Sequence, residues 1–179
     1  MIGVLVSGTG TNLQALLDAG LPVRAVASNK RDAPALARAG DLPTASFELR
    51  EYDSRDERDA AMADWLERHG VELVVLAGYM HLLTPGFLDR FPGRVLNVHP
   101  SLLPAFPGAH AVADQLAAGV RESGCTVHLV DEGVDSGPIL LQERVPVLEG
   151  DTEETLHERI KEVEHRLLPQ AVEEMLCAR

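Results

Sequence analysis

The chain has 179 residues, of which 45% are hydrophobic, and a formal net charge of −12 at pH 7. This length and apolar content suit one compact domain with a buried core, and they exclude a disordered chain. The acidic balance argues against nucleic acid and anionic membrane surfaces as partners, although backbone N–H groups can still build a local site for a small anion.

The cysteines and the N-terminal sequence bear on the compartment. Two isolated cysteines, Cys125 and Cys177, supply neither a disulfide framework nor a zinc site. The first residues, MIGVLVSG, lack the pattern of a signal peptide. No apolar run approaches the roughly 18 residues that span a membrane. We therefore expect a cytoplasmic protein.

Strand-like and helix-like segments alternate along the chain. In chain order the predicted elements are a strand at 2–6, a helix at 12–19, a strand at 23–27, helices at 33–39 and 55–69, a strand at 72–77, a helix at 85–91, a strand at 94–98, a helix at 109–118, strands at 125–130 and 138–145, and a helix at 152–177, with Asp151 and Thr152 as capping candidates. The run at 72–77 (ELVVLA) shows no alternation, which indicates burial on both faces of a parallel sheet. The order predicts an α/β fold with a doubly wound, mostly parallel sheet and helices on both faces.

A glycine-rich loop follows the first predicted strand and opens the first helix, with the sequence Ser7-Gly8-Thr9-Gly10-Thr11-Asn12. Its glycines let the backbone approach a ligand closely, and the N–H groups of a helix start face an anion. Leu13 stands where a dinucleotide fingerprint needs glycine, which disfavours an NAD-binding oxidoreductase. The loop suits a single phosphate. The alternative is a tight turn capped by Thr11 or Asn12.

The stretch Asn97-Val98-His99-Pro100 ends the strand predicted at 94–98. Because side chains alternate along a strand, Asn97 and His99 lie on one face, and Pro100 stops the sheet ladder. An amide and an imidazole placed together can both stabilise an oxygen that gains negative charge. The alternative is a buried histidine satisfied by its neighbours, but the pairing and the position at the strand end favour a catalytic role.

An acidic loop follows the strand predicted at 125–130 and contains Asp131, Glu132 and Asp135. A carboxylate beside His99 would favour its protonated form, and it could collect the proton of an attacking amine. The sequence leaves open which of the three carboxylates faces His99. It also leaves open whether His128 joins this site or packs in the core. The scattered histidines and the absence of His-Glu-x-x-His predict no metal site.

These motifs together resemble those of the phosphoribosylglycinamide formyltransferases, the folate-dependent enzymes of purine synthesis. The resemblance runs over nearly the whole chain. It is carried by the glycine loop with Asn12-Leu13-Gln14, Ala27-Ser28-Asn29-Lys30, Asp53-Ser54-Arg55, Val74-Val75-Leu76-Ala77-Gly78-Tyr79-Met80, Leu96-Asn97-Val98-His99-Pro100-Ser101-Leu102-Leu103-Pro104, Thr126-Val127-His128 and Asp135-Ser136-Gly137-Pro138-Ile139-Leu140. It implies a Rossmann-like fold of the formyltransferase type. It also implies a single domain over 1–179, in which the N-terminal part binds the substrate phosphate and the C-terminal part is folate-binding and catalytic.

The same resemblance implies roles for individual residues. The catalytic residues correspond to Asn97, His99 and Asp135. The substrate-binding residues correspond to Gly10, Thr11, Asn12, Lys161 and Glu164. The folate-binding residues correspond to Arg55, Met80, His81, Leu82, Leu83, Asn97, Val130, Asp131 and Glu132. Two of these depart from the family pattern, since His81 stands where arginine is usual and Lys161 where glutamine is usual.

The implied reaction moves a formyl group from 10-formyltetrahydrofolate to the amine of glycinamide ribonucleotide, without a metal, in a monomer or a homodimer. The sequence also allows three alternatives. A formyltetrahydrofolate deformylase or another formyl-folate transferase shares the Asn97 and His99 chemistry but carries a further domain. A phosphate-binding or nucleotide-binding module without catalysis would leave that pair unexplained. The NAD-binding oxidoreductase is disfavoured by Leu13.

Overall fold

A computed structural model describes residues 1–178. This part of the chain contains strands β1 (Ile2–Val6), β2 (Val23–Ser28), β3 (Thr44–Ser46), β4 (Leu73–Leu76), β5 (Val95–His99), β6 (Glu122–Leu129) and β7 (Ile139–Pro146). It contains helices α1 (Thr11–Asp18), α2 (Ala35–Arg38), α3 (Arg55–Arg68), α4 (Pro85–Leu88), α5 (Ala111–Ala118) and α6 (Glu153–Cys177). The strands form a mostly parallel sheet, which confirms the predicted fold class.

The chain divides into two compact units, unit 1 over Met1–Asn97 and unit 2 from Val98 onwards. In unit 1 the strand order is β3-β2-β1-β4-β5, and neighbouring strands run parallel. Every residue of β1 and β4 is buried, as expected for apolar strands covered on both faces. All carboxyl ends of these strands therefore lie at one edge, where the following loops carry polar side chains.

Close packing at Gly3 of β1 shows how tightly unit 1 is built. A Cβ at this position would lie 2.8 Å from side-chain carbons of both Leu66 and Val71. Leu66 is fully buried in α3, so a larger residue at position 3 would push this helix away from the sheet. Ser54 caps the start of α3, because its side chain accepts a hydrogen bond from the Glu57 N–H.

In unit 2, β6 and β7 pair antiparallel, with Cys125 opposite Glu143 and a register shift between Val127 and His128. The long helix α6 packs on these two strands. Thr152 is its N-cap, and Thr155 completes a capping box, which accounts for the boundary predicted from the sequence.

The observed elements differ from the predicted ones mainly at their ends. Helix α1 begins at Thr11, with Gly10 as its N-cap and no side-chain cap, so neither capping alternative weighed from the sequence is realised. Strand β6 begins at Glu122 rather than near residue 125, because Glu122 pairs with Pro146 on β7. The short strand β3 and a 3₁₀ turn at Leu49–Glu51 were not predicted.

Candidate active site

The glycine loop of unit 1 joins β1 to α1 through a backbone conformation that favours glycine. Gly10 has a φ of 76°, and a Cβ there would lie 2.6 Å from the Cβ of Ala35. Arg38 holds the loop from outside, since its Nε donates to the Thr9 carbonyl at 2.6 Å. The first N–H groups of α1 therefore start from a fixed, closely packed turn, which is the arrangement that suits a small anion.

Strand β5 carries the amide and the imidazole singled out from the sequence. Asn97 and His99 stand two residues apart within β5, so their side chains project from the same face of the strand. Asn97 is half-buried, and His99 is 4% exposed. A buried polar side chain needs a hydrogen-bonding partner, and the partners of His99 in unit 2 define the chemistry of the site.

Asp135 is the carboxylate that faces His99. Its Oδ2 lies 3.3 Å from His99 Nδ1, and its Oδ1 lies 3.5 Å from His128 Nε2. Asp135 also accepts a hydrogen bond from the Gly108 N–H at 2.8 Å. Its φ of 50° is uncommon for a residue other than glycine, and these three contacts hold it there. The question left open by the sequence is thus resolved, and His128 belongs to the same cluster.

The other two carboxylates of the acidic loop do not approach His99. Asp131 folds back on its own loop, where it accepts hydrogen bonds from the Gly133 N–H at 2.9 Å and the Ser136 hydroxyl at 2.8 Å. Glu132 is exposed. Asp131 therefore shapes the turn that brings Asp135 towards the histidines.

Both histidines of this cluster are anchored to backbone carbonyls on the side away from Asp135. His99 Nε2 lies 2.7 Å from the Phe106 carbonyl, and His128 Nδ1 lies 2.9 Å from the Leu129 carbonyl. A carbonyl only accepts, so each of these nitrogens carries a hydrogen. The nitrogen that faces Asp135 can then donate only when its ring is protonated. The arrangement suits an imidazolium next to a carboxylate.

The surroundings of Asp135 favour its ionised form. Burial alone would raise the pKa of this carboxyl. The hydrogen bonds from His128 and the Gly108 N–H, together with the charges of both histidines, outweigh burial and lower the pKa below its ordinary 3.8. The carboxylate therefore stays ionised across the physiological range.

The predicted folate-side residues of unit 1 cluster after β4. Arg55 of α3 donates from Nη2 to the Leu82 carbonyl at 2.7 Å, which fixes the segment 80–83. Met80 and Leu82 are 62% and 55% exposed, whereas Leu83 is buried. Two large apolar side chains exposed in one short segment offer an apolar surface to a ligand.

His81 lies inside a polar network that the sequence did not predict. Its Nδ1 lies 2.5 Å from Arg58 Nη1, and its Nε2 lies 3.1 Å from Asn29 Nδ2. Arg58 is fully buried and forms an ion pair with Asp59 at 2.6 Å. One sequence signal could have revealed Arg58, since it lies four and eight residues before the buried Met62 and Leu66 of α3.

Two further predicted residues lie on α6. Glu164 is 5% exposed, and its charge adds to the burial that raises the pKa of the Cys125 thiol. Lys161 forms an ion pair with Glu158 at 2.7 Å. Val130, another predicted residue, is half-buried and lies directly after β6.

Residues 1–178 also bear on metal binding and on membrane insertion. No group of three or more histidine, cysteine, aspartate or glutamate side chains is arranged to hold a metal ion in this part of the chain. No helix in the same range is long and apolar enough to cross a membrane.

Comparisons with known proteins agree with the predicted resemblance. A family model described as formyl transferase matches residues 1–172. Phosphoribosylglycinamide formyltransferase of Mycobacterium tuberculosis is 53% identical over 175 residues, which cover 94% of this chain and 81% of that protein. Glycinamide ribonucleotide transformylase 1 from Symbiobacterium toebii has a structure with a TM-score of 0.94 and 51% identity, covering 96% of this chain and 84% of that one.

A second solved structure gives the same result. Phosphoribosylglycinamide formyltransferase from Streptococcus pneumoniae has a TM-score of 0.94 and 44% identity, and the match covers 98% of both chains. The prediction of a formyltransferase made from the motifs is thereby confirmed. The chain belongs to the formyl transferase family.

Proposed function

We propose that this protein transfers the formyl group of 10-formyltetrahydrofolate to the amine of glycinamide ribonucleotide. The observation that carries the proposal is the 3.3 Å contact between His99 Nδ1 and Asp135 Oδ2, with Asn97 two residues earlier on the same strand face. The relatives named above support the choice of substrates. The folate acts as a cosubstrate, and no step of the mechanism needs a metal.

In the proposed reaction the substrate amine attacks the formyl carbon, and a tetrahedral oxyanion develops. The Asn97 amide donates a hydrogen bond to that oxygen. The His99 imidazolium donates a second one from Nε2, which exchanges the Phe106 carbonyl for the oxyanion while Nδ1 keeps facing Asp135. A new bond forms between the amine nitrogen and the formyl carbon, and the bond from that carbon to N10 of the folate breaks. The amine loses one proton and N10 gains one, with Asp135 placed to stabilise the charge on His99 while the proton moves.

The remaining predicted residues take binding roles in this proposal. Gly10, Thr11 and Asn12 hold the substrate phosphate at the start of α1. On α6, Lys161 reaches that phosphate and Glu164 contacts the substrate. The folate lies against Arg55, the segment 80–83 and the loop residues Val130, Asp131 and Glu132. Units 1 and 2 work as one formyltransferase domain, which the family match over residues 1–172 supports. We propose a cytoplasmic enzyme that acts as a monomer or a homodimer.

The test is a formyl-transfer assay on the purified protein. Mixed with 10-formyltetrahydrofolate and glycinamide ribonucleotide, the protein should produce tetrahydrofolate and formylated ribonucleotide in equal amounts, followed by folate absorbance and by mass. Loss of formyl groups as formate, without the amine substrate, would identify a deformylase instead. Binding of the ribonucleotide without any turnover would favour the phosphate-binding module.

A further inference from the structure

Three loops of unit 1 meet at the carboxyl edge of its sheet through a chain of polar contacts. Ser7 follows β1, Asn29 follows β2 and His81 follows β4, and these strands are neighbours. Ser7 Oγ lies 2.5 Å from Asn29 Oδ1, and it accepts a hydrogen bond from the Met80 N–H at 2.9 Å. The series of polar contacts continues from Asn29 to His81 and from His81 to Arg58. It directly joins the glycine loop to the segment 80–83.

The hydrogens in this series of polar contacts can be assigned by starting from Arg58. Arg58 is a donor at every physiological pH, so His81 Nδ1 must accept from it. A neutral imidazole has one acceptor nitrogen and one N–H, which places the hydrogen of His81 on Nε2. That N–H requires an acceptor, and the nitrogen of the Asn29 amide cannot serve.

Rotating the Asn29 amide by half a turn gives His81 Nε2–H an acceptor and keeps the contact between Asn29 and Ser7. The amide oxygen then accepts from His81 Nε2–H, and the amide nitrogen donates to Ser7 Oγ. Ser7 Oγ becomes an acceptor for both Asn29 and the Met80 N–H, so its own hydrogen no longer points to Asn29. The donors then run in one direction, from Arg58 through His81 and Asn29 to Ser7.

We propose that His81 is a positioning residue, a neutral imidazole with its hydrogen on Nε2 that orients Ser7 through Asn29 and so holds the glycine loop and the segment 80–83 in one arrangement. This inference rests on the proposed function, because both segments are assigned there to substrate and folate. When His81 gains a second proton, Nδ1 becomes a donor that faces the Arg58 guanidinium, and the series of hydrogen bonds is interrupted at that contact.

The charges around His81 favour the neutral ring. Burial comes first and then the positive charges of Arg58 and Arg55, with a smaller contribution from Lys30, and together they lower the pKa of His81. Asp59 opposes this, but it is already paired with Arg58. The Tyr79 ring packs edge-on against the imidazole at 6.0 Å and carries no charge near neutral pH.

The first experiment reads the tautomer directly and does not depend on turnover. In a long-range proton–nitrogen correlation spectrum near neutral pH, the signal lost in His81→Leu identifies His81 among the seven histidines. We expect the pattern of a neutral ring protonated at Nε2. A ring protonated at Nδ1, or at both nitrogens, would overturn the proposal. If the parent protein transfers no formyl group, the proposed function fails, yet this spectrum still decides the state of His81.

The second experiment separates positioning from mere stability. His81→Leu removes both contacts and should raise the KM for both substrates about tenfold, while kcat stays within about threefold. His81→Gln can accept from Arg58 through Oε1 and donate to Asn29 through Nε2, so it should recover most of the lost affinity. His157→Gln, on α6, is the matched control and should change neither constant. A glutamine variant no better than the leucine variant, or an unchanged KM in both, would refute the role of His81.

Discussion

Asp135→Asn keeps the shape of the side chain at the centre of the histidine cluster and removes its charge. The carboxylate lies 3.3 Å from His99 Nδ1 and 3.5 Å from His128 Nε2. The neutral amide can no longer stabilise an imidazolium at His99 as an ion pair. A hydrogen bond to a charged group contributes about 1.5–3 kcal/mol, and about 1.4 kcal/mol of barrier is tenfold in rate. We therefore expect kcat to fall roughly 10- to 150-fold.

The assay for this substitution is the initial rate of formyl transfer at saturating concentrations of both substrates, with urea unfolding to confirm the fold. The KM for the ribonucleotide should change little, because the proposed phosphate contacts lie in the glycine loop. Asp114→Asn, an exposed position on α5, is the matched control and should leave kcat unchanged. A folded Asp135→Asn protein whose kcat lies within twofold of the parent would refute the reasoning from the ion pair.

The same carboxyl gives the substitution a second readout, in the pH dependence of stability. The folded-state pKa of Asp135 is lower than its ordinary 3.8, so the unfolded chain binds the proton first as the pH falls. The free energy of unfolding contributed by Asp135 is present above about pH 4 and is lost as the pH falls towards the folded-state pKa. Asp135→Asn should therefore show a shallower loss of stability below about pH 4 than the parent.

The remaining predictions concern other parts of the molecule. Asn97→Ala and His99→Ala should each lower turnover at least about a hundredfold, because each removes a donor to the oxyanion, and near-normal turnover in folded His99→Ala would contradict the mechanism. Gly10→Ala should lower the free energy of unfolding by about 1–3 kcal/mol, measured in urea, since φ is 76° and its Cβ would lie 2.6 Å from a side-chain carbon of α2. A thiol reagent should label Cys177, which is exposed, and spare the buried Cys125 until the chain unfolds, because burial raises the pKa of the Cys125 thiol; rapid labelling of two thiols per native chain would count against the described core.

The parts of the fold that the sequence predicts well are those that periodicity determines. The uninterrupted apolar run that contains β4 and the capping residues before α6 both indicated structure that is present. Strand β3 is three residues long and half exposed, so it leaves no periodic pattern to detect. The early start of β6 depends on pairing with β7, a contact between residues far apart in sequence.

The candidate site likewise contains residues that the sequence predicts and residues that depend on tertiary contacts. Asn97 and His99 could be paired from spacing alone, because a strand has a period of two residues. Whether Asp135 or Asp131 faces His99 could not be predicted, because it depends on how the loop folds. Asp131 instead accepts hydrogen bonds from the Gly133 N–H and the Ser136 hydroxyl. The sequence indicates the position of Arg58 only in part: its spacing to Met62 and Leu66 places it on the buried face of α3, but an arginine on a helix is ordinarily exposed, and only its partners explain its burial.

Two histidines of this chain are given opposite chemistry by the charges they face. His99 lies next to the Asp135 carboxylate, and the nitrogen on that side can donate only from a protonated ring. His81 lies next to the Arg58 guanidinium, and the nitrogen on that side must accept, which requires a neutral ring. Acidification therefore breaks the contact between His81 and Arg58. Activity on the acid side should therefore be lost first through a rise in KM, because substrate binding depends on the neutral ring of His81; an unchanged KM at low pH would contradict this role.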